Sequence, residues 1–406
     1  MIDMNACINW KVLLDEAQSI QAEMVEWRRE LHQHPEIGFD LDYTKRFVKN
    51  KLIEFGCIPQ DCGKAGIVVI LGKPGGKTIL LRGDMDALPV DEQADVPYRS
   101  QNPGKMHACG HDMHTAMMLG AAKLLKKHED KLNGYVKLMY QPAEETLGGA
   151  KDMVDNGVLE APHVDAGMML HVMTGVPIPN GCIMIPEGGT GASSNDEFVI
   201  TVKGKGGHGA MPNLSVDPIN VMAHIHIALQ EIHARELTPG DYLVITSGTF
   251  HAGSASNVIP DSAKMTGTIR TLDEKIAEFA RNRIREISQA VATAFRAEVT
   301  VEYPLFCPSM IADNDMSIFA RKYLSELLGS AVLPPAGGSR IGGGSEDFAH
   351  VSNLIPSIAI FLGAGNSADG YTYPQHHPQA VFDDSILYTG ASAYAYFAAR
   401  WLEDNI

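Results

Sequence analysis

NDEFVITVKG, residues 195–204, is the stretch on which the reading of the fold turns. Its apolar and polar residues partly alternate, as in a strand that packs one face and shows the other to water. The strands expected before it follow another rule. GIVVILG (66–72) and TILLRGDMD (78–86) are short, apolar, β-branched runs punctuated by glycine, the pattern of strands buried on both faces. GYVKLMYQ (134–141) and VDAGMMLHV (164–172) continue that rhythm, with helices expected at 11–34, 43–56, 112–127 and 147–155. Strands alternating with helices make an open sheet covered by helices.

From residue 195 the order changes. A strand at 195–204 leads to a helix at 218–236, two strands at 242–253 and 262–272, a helix at 273–294 and a strand at 297–303. Asp217-Pro218 offers an N-cap and N1 pair for the first of these helices. This βαββαβ order is the ferredoxin-like split motif, which can form its own two-layer domain with one sheet face free. After Pro304 the first rhythm returns, with a helix at 315–328, a strand at 357–365 and a helix near 383–402. The expected architecture is α/β: a catalytic metal-binding domain split into residues 1–191 and 304–406, with a central mixed sheet flanked by helices. An α+β ferredoxin-like lid and dimerisation domain is inserted at 192–303. PPAGGSRIGGGSED (334–347) reads as a flexible loop.

Composition narrows the function. Across 406 residues, 45% are hydrophobic and 20% charged, as in an ordinary globular protein. A formal net charge of −16 argues against nucleic acid as partner, because phosphate binding needs basic patches. A small substrate stays open, since its pocket can be locally positive. The six cysteines, Cys7, Cys57, Cys62, Cys109, Cys182 and Cys307, form no CxxC pair and do not read as a disulfide scaffold. The first residues lack a basic segment followed by an apolar run, so no signal peptide is expected. No apolar run approaches the roughly 18–20 residues of a membrane helix. A reducing cytoplasm is the expected home.

The chemistry begins at His107-Ala108-Cys109-Gly110-His111-Asp112. On an extended segment, Cys109 and His111 share a side, and the glycine between them lets the backbone bend so that both reach one ion. Thiolate and imidazole are good transition-metal ligands. A buried cysteine beside a surface histidine, or a Cys-His thiol nucleophile, are the competing readings. Gln141-Pro142-Ala143-Glu144-Glu145 follows a buried strand, where α/β ligand sites gather. Adjacent side chains diverge, so one carboxylate can bind metal while the other acts as a base. Metal-assisted hydrolysis needs that division of labour. His171, at a strand end, and His376-His377, in a loop, complete the set of ligand-type residues.

These segments, with RGDMDALP (82–89), KGKGGHGAMP (203–212), SASNVIP (254–260), GTIRT (267–271), GGSEDF (343–348) and HHP (376–378), resemble the amidohydrolase branch of the M20 metallopeptidases. That branch holds aminoacylases, hippurate hydrolases, N-acetyl-amino-acid deacetylases and plant auxin-conjugate hydrolases. The resemblance covers nearly the whole chain. It implies two divalent ions (Mn, Zn, Co or Ni) held by Cys109, His111, Glu145, His171 and His376, with Glu144 as general base and acid. It implies that Asp86 and Asp112 orient the site. In the inserted domain it implies that His208 stabilises an oxyanion, in the partner subunit of a homodimer, and that Asn257 and Arg270 hold a substrate carboxylate. The chain has Asp84 where the wider family usually has a histidine ligand, so that ligand is not carried across. The implied substrates are small N-acyl amino acids. A dipeptidase or carboxypeptidase with the same metal site, and a silent ligand-binding homologue, are the alternatives.

Overall fold

In the computed structural model, residues 9–334 and 344–405 are described. Cys7 and most of the loop expected at 334–347 therefore lie outside the described residues. The described chain separates into two compact units. One takes the chain up to Gly191 and most of it from Ile311 onward; the other takes Ala192–Met310 and the described residues just before and including Glu346.

The first stretch contains α1 (Val12–Ser19), α2 (Gln21–Gln33), α3 (Asp42–Glu54), β1 (Gln60–Cys62), β2 (Gly66–Gly72) and β3 (Lys77–Asp84). It continues with α4 (His111–Lys127), β4 (Gly134–Gln141), α5 (Gly149–Asp155), β5 (Ala166–Met173), β6 (Ile183–Met184) and β7 (Gly189–Ala192). The inserted stretch holds β8 (Asn195–Lys203), β9 (Gly207–His208), α6 (Pro218–Ala228), α7 (Gln230–Arg235) and β10 (Leu243–Ala252). It then adds β11 (Val258–Ile259), β12 (Ser262–Thr271), α8 (Glu274–Ala294) and β13 (Glu298–Cys307). The return brings β14 (Met310–Ala312), α9 (Asn314–Leu328), α10 (Ala349–Ser352), β15 (Ser357–Gly363) and α11 (Leu387–Asp404).

The first unit is built on a seven-stranded mixed sheet of order β1-β2-β4-β3-β5-β15-β6. β4, β3, β5 and β15 run parallel, whereas β2 and β6 are antiparallel to their neighbours. The apolar runs behave as their sequence dictates: β3 is buried from Thr78 to Asp84, and β4 from Val136 to Gln141. α4 and α11 are buried along most of their length, so the core wraps both sides of the helices that cover the sheet. At Gly83 an added Cβ would lie 2.5 Å from Met118 Cγ, so glycine lets α4 approach the end of β3 closely. The expected single helix at 11–34 is two, α1 and α2, meeting at Ile20.

The inserted unit carries a four-stranded antiparallel sheet of order β10-β12-β8-β13. β12 alternates buried and open positions, and α6 and α8 cover one face of the sheet. Asp217 caps α6 by accepting from Ile219 N at 2.9 Å, with Pro218 at N1. The last strand runs through Pro304 to Cys307, with a register shift between Glu302 and Leu305. Proline is tolerated there because β13 lies at the sheet edge.

Candidate metal centre

The parallel strands place their C-terminal ends along one edge of the larger sheet, the position where open α/β sheets gather ligands. Asp84 ends β3, Gln141 ends β4 and leads into Glu144 and Glu145, and His171 stands near the end of β5. α4 begins at His111 against the same edge. Gly110, its N-cap, has φ 85, the left-handed turn that puts Cys109 and His111 on one side.

Here the side chains converge. The candidate ligand atoms of Cys109, His111 and His171 lie within 4.8 Å of one another, as do those of Cys109, Glu145 and His376 and those of His111, Glu144 and Glu145. Cys109 Sγ is 3.5 Å from His171 Nε2. His111 Nε2 is 3.8 Å from Glu145 Oε1 and 3.9 Å from Glu144 Oε2, and His376 Nε2 is 3.6 Å from that same Glu145 oxygen. The histidines are turned by bonds on their far side. His111 Nδ1 donates to Asp86 O at 2.8 Å, and His171 Nδ1 donates to Val172 O at 2.6 Å. A carbonyl only accepts, so Nδ1 holds the proton and Nε2 is aimed at the cluster, the arrangement usual for metal-bound imidazole.

Among the described residues, His111 Nε2 and Glu145 Oε1 are buried in the cluster without a hydrogen-bond partner. Such orphans are costly unless something else satisfies them. Charge tells the same story. Burial pushes the Glu145 carboxyl up to about 7. Burial works against protonation of His111, but the Asp84 carboxylate and Cys109 outweigh it and raise the imidazole well above its ordinary range. Both shifts are the response of a buried, anion-rich cluster short of positive charge. A divalent cation supplies that charge, so the donor set of one thiolate, three imidazoles and one carboxylate fits transition-metal ions. Burial pushes the Cys109 thiol well up, and a cation bound beside it is what would deprotonate it.

The backbone around the cluster is held hard. Asp86 accepts from Glu144 N at 2.9 Å through Oδ1 and from Glu145 N at 3.2 Å through Oδ2, so one carboxylate fixes both glutamates. Ala143 and His376 take the left-handed conformation at φ 54 and 68, strained for residues other than glycine. His376 N donates to Ala108 O at 2.8 Å, and Gln375 Nε2 donates to Val172 O at 3.0 Å. Asp112 faces away from the ligands, toward Arg28 Nε at 2.7 Å and His32 Nδ1 at 2.8 Å.

A second group, Asp84, His111 and His114, has ligand-like spacing but not ligand chemistry. His114 is committed at both nitrogens, Nδ1 to Asp84 Oδ1 and Nε2 to Val172 N at 2.8 Å. Asp84 pairs with Arg82 Nη1 at 2.7 Å. Arg82 in turn donates from Nε to Gln141 Oε1 at 2.8 Å, and Gln141 Nε2 donates to Asp347 Oδ1 at 2.6 Å. This buried network supports the strand ends. Sequence reading assigned no role to Arg82, His114, Gln375 or Asp347. His114, three residues after His111 on a helix, was findable from spacing. Arg82 and Asp347 stand far apart in the chain, and no local pattern joins them.

The remaining expected residues lie in the inserted unit. His208 is exposed on β9, paired with Val258, and Gly209 N donates to Asn257 O at 2.9 Å, so His208 and Asn257 are neighbours. Arg270 is half-buried on β12, with Nη1 donating to Ser345 Oγ at 2.7 Å.

The chain matches peptidase family M20/M25/M40 over residues 80–400 and belongs to that family. It is 35% identical to thermostable carboxypeptidase 2 of Saccharolobus solfataricus, across 96% of this chain and 98% of the relative. It is also 35% identical to hippurate hydrolase of Campylobacter jejuni, across 96% of this chain and 100% of the relative. Among solved structures, a dinuclear metal-binding M20 peptidase of Bacillus subtilis superposes with TM-score 0.79 at 30% identity, covering 96% of this chain and 99% of that one. The family resemblance read from the motifs, and the central mixed sheet with its helices, are thereby borne out.

Proposed function

We propose that this chain is a metal-dependent amidohydrolase that adds water across the amide bond of N-acyl amino acids, giving a carboxylate and a free amino acid. The observation that carries this is the convergence of five ligand-type residues around buried atoms that have no hydrogen-bond partner among the described residues, beside a second glutamate. Cys109, His111, Glu145, His171 and His376 would hold two divalent ions, drawn from Mn, Zn, Co or Ni. Bound there, such ions polarise a carbonyl oxygen and make water more acidic. Glu144, with Oε2 3.9 Å from His111 Nε2, takes a proton from water and delivers it to the departing nitrogen. Asp86 keeps Glu144 and Glu145 in register, and Asp112 steadies the start of α4.

The inserted unit is read as a ferredoxin-like lid. Its order β10-β12-β8-β13 places the fourth strand of the motif beside the first, and the third beside the second, which supports that label. His208 steadies the oxyanion, and Asn257 and Arg270 grip the substrate carboxylate, Arg270 through its planar fork. A homodimer through the lid is supported by exposed Val244 and Phe250 on the edge strand β10. A cytoplasmic home is supported by five free cysteines among the described residues, and no described helix is long and apolar enough to cross a membrane.

The likeness to hippurate hydrolase favours N-acyl substrates, and the likeness to the carboxypeptidase keeps peptides as the second reading. Comparing N-acetyl- and N-benzoyl-amino acids with dipeptides separates them. The test of the chemistry is Glu144→Ala. Metal content stays normal and turnover falls roughly 10²–10⁴-fold, the usual contribution of an acid-base group; near-normal turnover removes Glu144 from its role.

A further inference from the structure

Behind the candidate ligands, Asp112 belongs to a buried ion network whose other members have no role in the proposed chemistry. His32, on α2, is 2% exposed, and both its ring nitrogens face carboxylates. Nδ1 lies 2.8 Å from Asp112 Oδ2 and Nε2 lies 3.1 Å from Glu92 Oε1. Arg28 Nε approaches the same Asp112 oxygen at 2.7 Å. Asp112, Glu92 and Arg28 are 0%, 3% and 1% exposed, so water screens none of them. An imidazole between two carboxylates satisfies both only by donating from both nitrogens.

The network reaches two ligand-bearing segments. Asp112 immediately follows His111. Glu92 precedes Gln93, whose N–H donates to Pro378 O at 2.8 Å, two residues beyond His376. Glu92 Oε2 also accepts from Ser100 N at 2.7 Å, which fixes the intervening loop. His32 therefore sits at the joint between the segment that carries Cys109 and His111 and the loop that carries His376.

We propose that His32 is a positioning residue that sets the spacing of the His111 and His376 ligands, and thereby the affinity of the site for metal. This rests on the ligand assignment above. Its side chain touches neither ligand; it acts through Asp112 and Glu92. Removing the imidazole leaves two buried carboxylates, with Arg28 as the cation nearest to Asp112. The start of α4 and the 91–102 loop then relax independently, and the ligand atoms lose their registration.

The test uses full-length apoprotein titrated with Mn²⁺ or Zn²⁺ against a competing fluorescent chelator, with unfolding followed in parallel. His32→Gln weakens metal binding roughly 10–100-fold, the range usual when a group supporting a ligand is lost. Glu92→Gln keeps the Asp112 contact and weakens binding measurably, by a smaller factor than His32→Gln. Lys137→Met is the structural comparison. That buried ammonium donates to Val158 O, Glu160 O and Pro162 O, remote from the ligands, so its loss lowers the melting temperature and leaves metal affinity unchanged. Wild-type affinity in folded His32→Gln, or an equal loss in Lys137→Met, overturns the inference alone. Should His32→Gln not fold, unchanged affinity in Glu92→Gln overturns it. Failure of the wild-type apoprotein to take up either metal overturns the ligand assignment as well.

Discussion

Asp86→Asn tests what holds the glutamate turn. The Asp86 side chain accepts two backbone N–H bonds, from Glu144 at 2.9 Å and Glu145 at 3.2 Å, and is 0% exposed. His111 Nδ1 donates to the Asp86 backbone carbonyl, which the substitution leaves in place, and lies 3.6 Å from Asp86 Oδ1. Asparagine retains one acceptor and turns an NH₂ toward the other N–H. One charge-assisted bond becomes neutral and a buried donor is left unsatisfied, a loss of about 2–4 kcal/mol. The glutamate turn then wanders, while His111 keeps its bond to the Asp86 carbonyl. Turnover on N-benzoylglycine falls roughly 10–100-fold, with KM changing far less. The assay is initial rates with metal content measured on the same samples, and urea unfolding alongside. Unchanged stability with unchanged kcat refutes the idea that Asp86 holds the base in place.

Two further outcomes follow from the geometry. Gly110→Ala places a Cβ 2.6 Å from Val172 Cγ2 at φ 85, so it costs about 2–4 kcal/mol from the left-handed backbone and overpacking; unfolding and metal analysis show lower stability and metal content, and wild-type values in both contradict the tight turn. His32 is titrated among Asp112, Glu92, Arg28, Tyr98 and His107; burial lowers its pKa, but the Asp112 and Glu92 carboxylates together outweigh burial and raise it overall. Its stabilisation is thus fully present below about 6.5, the free imidazole value, and is lost as pH rises through the higher folded value. The melting-temperature gap between wild type and His32→Gln is widest near about pH 6 and narrows in alkali; a gap that widens with pH contradicts a charged His32.

How much of this was legible depended on range. β2 was readable to the residue, because GIVVILG is an apolar run ended by glycine at both sides. α6 was readable at its start because Asp217-Pro218 is local chemistry. The break at Ile20 carries neither glycine nor proline, and tertiary packing of two amphipathic helices sets it. β13 continues past Pro304 because it lies at an edge, a fact of topology that sequence does not display. The same division holds at the site. Cys109, His111, Glu144 and Glu145 were visible as short motifs. His171 and His376 were visible only as ligand-type residues at a strand end and in a loop, weak signals singly, and the resemblance is what assigned them a role. The Arg28–His32–Asp112–Glu92 network and the Arg82–Asp347 contact join distant segments, so periodicity and spacing leave no trace of them.

The central claim is that metal held by Cys109, His111, Glu145, His171 and His376 is required for amide hydrolysis. The most direct measurement strips the protein with chelator, quantifies residual metal, and follows N-benzoylglycine hydrolysis as Mn²⁺ or Zn²⁺ is returned. Activity vanishes with the metal and recovers to its full value as the ions refill the site. Undiminished turnover in protein shown to be metal-free contradicts the account.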